Sequence, residues 1–281
     1  MNFATPTTDF TFKRLFGDAQ RTNLPINFLN NLLERKEGNL ITKIVFSDTA
    51  NIPKAEGSKQ SSVDISCTDQ SGHQFIIEMQ VAHEVYFLLR SQYYASFALS
   101  NQLKKGGSFE YLKPVIFVGI MKHDLFDYNQ DPITHHFIID SKTGKQSMEH
   151  LQFHYVELSK FHKKIEELET QMDKWLFFFK NATDLEMIPE QFKSSPDFTE
   201  AFHVVEQSLW TPEERKIYRK NLDEMSFYDR LQEGMVEKGE RKKAEKIAIK
   251  LLKKGTNICD IADITELSVE QLELLFRDLK K

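Results

Sequence analysis

The chain has 281 residues, 40% of them hydrophobic and 28% charged, which excludes a disordered protein and allows a proper buried core. A net charge of -5 excludes a surface coated throughout with nucleic acid, so any DNA contact must come from a local basic patch. The two cysteines, Cys67 and Cys259, form no metal-spaced set; with no bilayer-length apolar run and no charged-then-apolar leader pattern, the expectation is a cytoplasmic protein without a membrane partner.

Residues 9–16 predict a short helix carrying Phe10, Phe12, Leu15 and Phe16. A second helix is expected over 24–34, with Leu24, Phe28, Leu29, Leu32 and Leu33 apolar and a stop at Gly38. Residues 40–46 read as a strand, followed by a polar loop through Pro53 and Gly57. Two β-rich segments, 61–67 and 75–81, flank the turn signal Asp69-Gln70-Ser71-Gly72 and predict a hairpin. An amphipathic helix over 84–105 ends before Gly106-Gly107, and 114–121 is an apolar, β-branched strand. This order predicts an α/β fold with a mixed central sheet flanked by helices on both faces. Further strands are expected over 134–140 and 151–158, around the turn 141–144. Residues 160–180 read as a helix with Trp175 and Phe177 to Phe179 about its buried face. A break over 181–196 precedes more helix, to about Arg230.

The hairpin carries the chemistry. Opposed residues of an antiparallel pair are equidistant from the turn centre, and Asp64 and Glu78 are equidistant from Ser71. They should therefore face each other with Cβ atoms roughly 5 Å apart. Like charges so placed repel, and a hard divalent cation between them turns repulsion into binding. Gln80, two residues on, shares the face of Glu78. Carboxylates on hairpin strands are usually solvated. Here Val63, Ile65, Phe75, Ile76, Ile77, Met79 and Val81 make both faces apolar, so the charges need a compensating partner.

The motifs Asp9-Phe10-Thr11-Phe12-Lys13-Arg14-Leu15-Phe16-Gly17, Val63-Asp64-Ile65 and Ile77-Glu78-Met79-Gln80 occur in that order. Arg90 with Tyr93-Tyr94, and Tyr111-Leu112-Lys113-Pro114-Val115-Ile116, follow them. Together this set resembles the Rpn family of recombination-promoting nucleases, often labelled transposases, within the PD-(D/E)xK nuclease superfamily. The resemblance covers about residues 5–180 and continues into the helical tail. It implies a restriction-endonuclease-like core in which Asp64 and Glu78 bind Mg2+, with Mn2+ as a substitute, and DNA is the substrate. The carbonyl of Met79 would complete the shell. The position usually held by a lysine is Gln80, which can orient a water but carries no charge. The resemblance then leaves Lys59 or Lys13 to supply that charge.

Asp9 has two readings: an acidic residue joining the site, as the resemblance implies, or the N-cap of the first helix. Lys13, one turn later, would point to the same region. Arg90 and Tyr94 share a helix face, where Arg90 either contacts a phosphate beside Tyr94 or pairs with a local carboxylate while the tyrosines pack. His135 and His136 should point to opposite strand faces and not share a metal. His73 in the hairpin turn reads as solvated, and His150 and His154 could share a strand face without an acidic neighbour.

The expected organisation is a nuclease domain over 1–180 (core 5–125), a helical connector over 181–232 and a helix-turn-helix-like module over 233–281. Within the tail, Ser268 and Gln271 form a capping-box pattern. Glu270, Glu273 and Asp278 on the last helix disfavour reading of the major groove, so homodimerisation or a protein partner is expected there. Lysines 242, 243, 246, 250, 253 and 254 with Arg241 would add nonspecific attraction to phosphate. The resulting expectation is a metal-dependent DNA endonuclease of little sequence specificity that promotes recombination or transposition-like transactions. The alternative is a catalytically weakened relative acting as a DNA- or protein-binding regulator or a toxin-like defence protein.

Overall fold

The computed structural model describes residues 2–47, 63–82, 84–104 and 106–279. Lys59 and the loop through Pro53 and Gly57 lie outside the described residues. The chain divides into two units, Met1–Met225 and Ser226–Lys281.

The first unit opens on α1 (Asp9–Phe16) and α2 (Asn23–Leu32). Thr8, not Asp9, is the N-cap of α1: its Oγ1 accepts the Thr11 N–H at 3.2 Å, while Asp9 occupies the first turn. Both residues are cap formers, and the adjacent threonine takes the position because it is buried with Thr11.

Six strands follow: β1 (Ile44–Phe46), β2 (Ile65–Asp69), β3 (Gln74–Gln80), β4 (Val115–Met121), β5 (Ile133–Ile138) and β6 (Met148–Glu157). They form one mixed sheet in the order β1-β2-β3-β4-β6-β5. The pairs β1–β2, β2–β3 and β5–β6 are antiparallel, whereas β3, β4 and β6 run parallel. Helix α3 (Phe87–Ser100) makes the crossover between β3 and β4. β4 is buried at every position, as its unbroken apolar run requires of a doubly covered strand.

The alternation of β4 separates two cores. Ile116, Val118 and Ile120 join a large cluster with α1, α2, Trp175 and Phe178. Val115, Phe117 and Met121 join a second, with Phe87, Tyr94 and Ala95 of α3 and Tyr155 of β6. Gly119 permits this second packing, since a Cβ there would meet Tyr155 Cδ1 at 2.9 Å and Phe87 Cε1 at 3.0 Å. Gly119 is also the β4 register partner of Glu78, so the close seat of α3 on the sheet lies beside that carboxylate.

Three expectations are corrected. The strand expected over 40–46 is confined to Ile44–Phe46. Residues 160–170 are not α-helical. Lys160 is drawn into a buried pair with Glu157, and Thr170 and Asp173 form a reciprocal capping box that starts α4 (Gln171–Asn181). His73 is held against Asp69, whose Oδ2 lies 3.0 Å from its Nδ1, instead of being solvated. Trp175 and Phe177 to Phe179 are core residues, with Trp175 Nε1 donating to Asn27 Oδ1 at 2.8 Å.

The chain continues through α5 (Glu190–Lys193) and α6 (Pro196–Val205) into α7 (Pro212–Lys253), within which the unit boundary falls. The second unit adds α8 (Ile258–Thr265) and α9 (Val269–Leu279). Its own small core is Ala248, Ile261, Leu267 and Leu272. The Ser268–Gln271 box forms: Ser268 N–H donates to Gln271 Oε1 at 2.9 Å, and Gln271 N–H to Ser268 Oγ at 3.3 Å. Among the described residues no helix is long and apolar enough to cross a membrane.

Candidate active site

In open α/β sheets, ligand sites form beyond the carboxyl ends of parallel strands, and Glu78 sits near that end of β3. The hairpin turn places Gly72 at φ 85°, a backbone state that glycine adopts without strain. The resulting register pairs Ile65 with Ile77 and Ser66 with Ile76, which brings Asp64, just before β2, opposite Glu78. The two acids are tied to each other's strands. Asp64 N–H donates to Glu78 Oε1 at 3.1 Å, and Met79 N–H donates to Asp64 Oδ2 at 2.8 Å. Each carboxylate thus commits one oxygen to the backbone and keeps a second, Asp64 Oδ1 and Glu78 Oε2, for another partner.

Glu78 is buried and Asp64 half-buried. Burial, then the charge of Asp64, pushes the Glu78 carboxyl up to about 8, against the opposing pull of Arg90. Burial also raises Asp64, aided by the charge of Asp9; the Met79 N–H, Lys13 and Arg90 act the other way. A pair of acids so destabilised as anions is an electrostatic socket for a cation.

The linkage gives a sign. Glu78 holds its proton in the folded chain up to about pH 8, whereas an unfolded glutamate releases it near 4.3. Across that window the folded state binds more protons, so its stability falls as pH rises. Without divalent cations, the melting temperature should drop between pH 5 and pH 8, reflecting a stability loss on the order of 2 kcal/mol. In Glu78→Gln that drop should flatten. Thermal melts in EDTA across the range check this, and an equal slope in both proteins would refute the assignment of the drop to Glu78.

Arg90, from the first turn of α3, reaches the same point. Its Nη2 lies 2.7 Å from Gln80 Oε1 and 3.6 Å from Glu78 Oε2; its Nη1 is 2.5 Å from Glu84 Oε2. The guanidinium also stacks over Phe87 and Tyr94, at 5.2 Å and 5.9 Å from the ring centroids. Tyr94 is buried, its hydroxyl raised to about 12 by burial and then by Glu78. Of the two sequence readings, the structure shows the pairing with a local carboxylate, Glu84, and it places Arg90 beside the acidic pair. Gln80 donates its amide to the Ala82 carbonyl at 2.6 Å while accepting from Arg90, so both ends of its side chain are engaged.

From α1, Asp9 and Lys13 form an exposed pair at 2.7 Å. Burial lowers Lys13, but the hydrogen bond and charge of Asp9, with the charges of Asp64 and Glu78, outweigh it and raise its pKa. Lys13 thus feels the acidic pair, and the charge of Asp9 acts on Asp64. Glu84 escaped the sequence reading because the expected helix included it. α3 starts only at Phe87, and Glu84 sits in the turn before it, accepting the Phe87 N–H at 3.1 Å.

The histidines form no second centre. His135 and His136 do face opposite ways: His136 packs on Phe126 and Tyr155, and His135 Nδ1 lies 2.6 Å from His154 Nδ1. Among the described residues no group of three or more His, Cys, Asp or Glu side chains is placed to hold a metal. Two carboxylates still suit Mg2+, which is commonly held by one or two carboxylates, with waters and substrate phosphates completing its octahedron.

The sequence model of the PD-(D/E)XK nuclease family transposases matches residues 6–233. No curated protein and no solved structure matches the chain.

Proposed function

Because the chain belongs to the PD-(D/E)XK nuclease family of transposases, we propose that it is a Mg2+-dependent DNA endonuclease whose site is built on Asp64 and Glu78. The observation that carries this reading is the tied acid pair, with Glu78 buried near the end of β3, Asp64 half-buried just before β2, and the Arg90 guanidinium of α3 beside it. Asp64 Oδ1 and Glu78 Oε2 would hold the ion, with Mn2+ as a functional substitute. When bound, the ion supplies Lewis-acid polarisation of the phosphodiester and a more acidic water. Arg90 offers charge to a phosphate oxygen, and the burial of Glu78 on β3 limits the water around it. Asp9 and Lys13 border the site from α1, and Tyr94 shapes the wall under Arg90.

The substrate is DNA read with little sequence specificity, in recombination or transposition-like transactions, in the cytoplasm. Residues 1–180 carry the body of the nuclease domain, and 181–225, expected as a connector, belong to the same unit, with Phe192, Phe198 and Phe202 in its main core. The 233–281 module, with its Lys-rich helix and acidic last helix, serves homodimerisation or a protein partner. The engagement of Gln80 by Ala82 and Arg90 favours one alternative: a weakened relative that acts by binding, as a regulator or toxin-like defence protein.

Supercoiled plasmid separates the two. Incubation with Mg2+ should yield nicked and linear DNA, and excess EDTA should stop it, with Mn2+ restoring it. Retained cleavage in EDTA, or none with either ion, would contradict the endonuclease reading.

A further inference from the structure

We infer that Arg90 is the cation of this site, standing in for the charge absent at position 80, and that Gln80 and Glu84 position it. The inference rests on the nuclease reading above and deepens it. A phosphodiester under attack gathers negative charge, and a site with two acids and no cation of its own would oppose it. Lys13 is an exposed ammonium already paired with Asp9. Arg90 is the cation whose nitrogen lies within 4 Å of Glu78 among the described residues.

Its geometry is that of a held tool. Glu84 anchors Nη1, the Gln80 oxygen anchors Nη2, and the rings of Phe87 and Tyr94 fix the plane. A guanidinium grips a phosphate side-on through its Nε and Nη2 hydrogens. Here Nη2 is the atom beside Glu78, and Nε is buried with no hydrogen-bond partner among the described residues. One donor of the gripping edge is thus unused, on the guanidinium whose Nη2 lies beside Glu78. A buried unpaired donor costs stability, so its retention points to a ligand oxygen as its partner. Gln80 thus becomes a positioning residue: Ala82 holds its amide so that its oxygen faces Arg90. Glu84 acts as the opposite jaw.

Relocating the charge tests this. Four variants are compared for Mn2+-dependent plasmid cleavage, for Mn2+ affinity by calorimetry and for melting: Arg90→Ala, Arg90→Gln, Gln80→Lys, and Gln80→Lys combined with Arg90→Ala. Arg90→Gln keeps a polar side chain on the Gln80 oxygen and guards against a folding defect in Arg90→Ala. Both Arg90 variants should lower kcat about 100-fold, with KM changed far less. Gln80→Lys alone should slow cleavage about tenfold, because a second cation displaces Arg90 from its acceptor. The double variant should cut at least about tenfold faster than Arg90→Ala, since the lysine restores the charge. Mn2+ affinity of the Arg90 variants should be retained or tightened, because a neighbouring positive charge is gone. Wild-type rates in both Arg90 variants, or a double variant no faster than Arg90→Ala, would overturn the inference while leaving the nuclease reading intact. An inactive wild-type protein would overturn both.

Discussion

Asp64→Asn and Glu78→Gln should each slow the proposed Mg2+-dependent plasmid cleavage by at least about 10³-fold, the factor that several kcal/mol of transition-state stabilisation represents. The substitutions are chosen so that the fold survives. The asparagine introduced in the first keeps an oxygen for the Met79 N–H, and the glutamine introduced in the second keeps one for the Asp64 N–H, so the ties between the strands persist. What is lost is the second anionic oxygen of each group. Glu78→Gln should also melt no lower than the parent in EDTA, because the replaced carboxyl is held as an anion only against burial and the charge of Asp64. Activity loss without stability loss separates a chemical role from a structural one. The double variant should be no slower than either single one, since both residues serve one ion. Wild-type rates in either single variant would remove the proposed site.

Lys160→Met should cost about 3–5 kcal/mol, the penalty of leaving a buried charge without its partner. Glu157 is fully buried at the end of β6, and its Oε1 lies 2.8 Å from Lys160 Nζ. The same oxygen accepts the N–H groups of Leu125 at 2.5 Å and Phe126 at 3.0 Å, and Lys160 caps the Phe126 carbonyl. These four bonds fasten the loop after β4 to the sheet. Leu125 lines a small pocket with Gln80, Glu84 and Phe87, so the pair also steadies one wall beside Arg90. In urea denaturation, Glu157→Gln combined with Lys160→Met should recover part of the loss, because an amide oxygen still accepts both N–H groups without a charge to desolvate, while its NH2 takes the buried Oε2 position that has no partner among the described residues. A loss under about 1 kcal/mol in Lys160→Met would mean that the pair does not hold the loop.

The local parts of this fold were legible in the chain. α1 occupies the expected residues because Phe12, Leu15 and Phe16 recur at helical spacing before Gly17. The hairpin register followed from one turn, since a two-residue period leaves a strand little freedom once both faces are apolar. The fully buried β4 announced itself as an unbroken apolar run. Long-range partners were not legible. Nothing near Lys160 in sequence says that the Phe126 carbonyl, 34 residues away, will claim its ammonium and hold it at the sheet. Nor does position 80 reveal that its amide will be turned toward Ala82 and a guanidinium from the next helix. Asp9 illustrates a finer limit: Thr8 and Asp9 are both good caps, and only burial against Thr11 chose between them.

Crystals soaked in Mn2+ and measured at the manganese absorption edge put the central claim to its most direct test. An anomalous peak is expected within coordination distance of Asp64 Oδ1 and Glu78 Oε2, absent from Glu78→Gln crystals treated alike. A peak elsewhere, in a protein that cuts DNA only when Mn2+ is supplied, would contradict it.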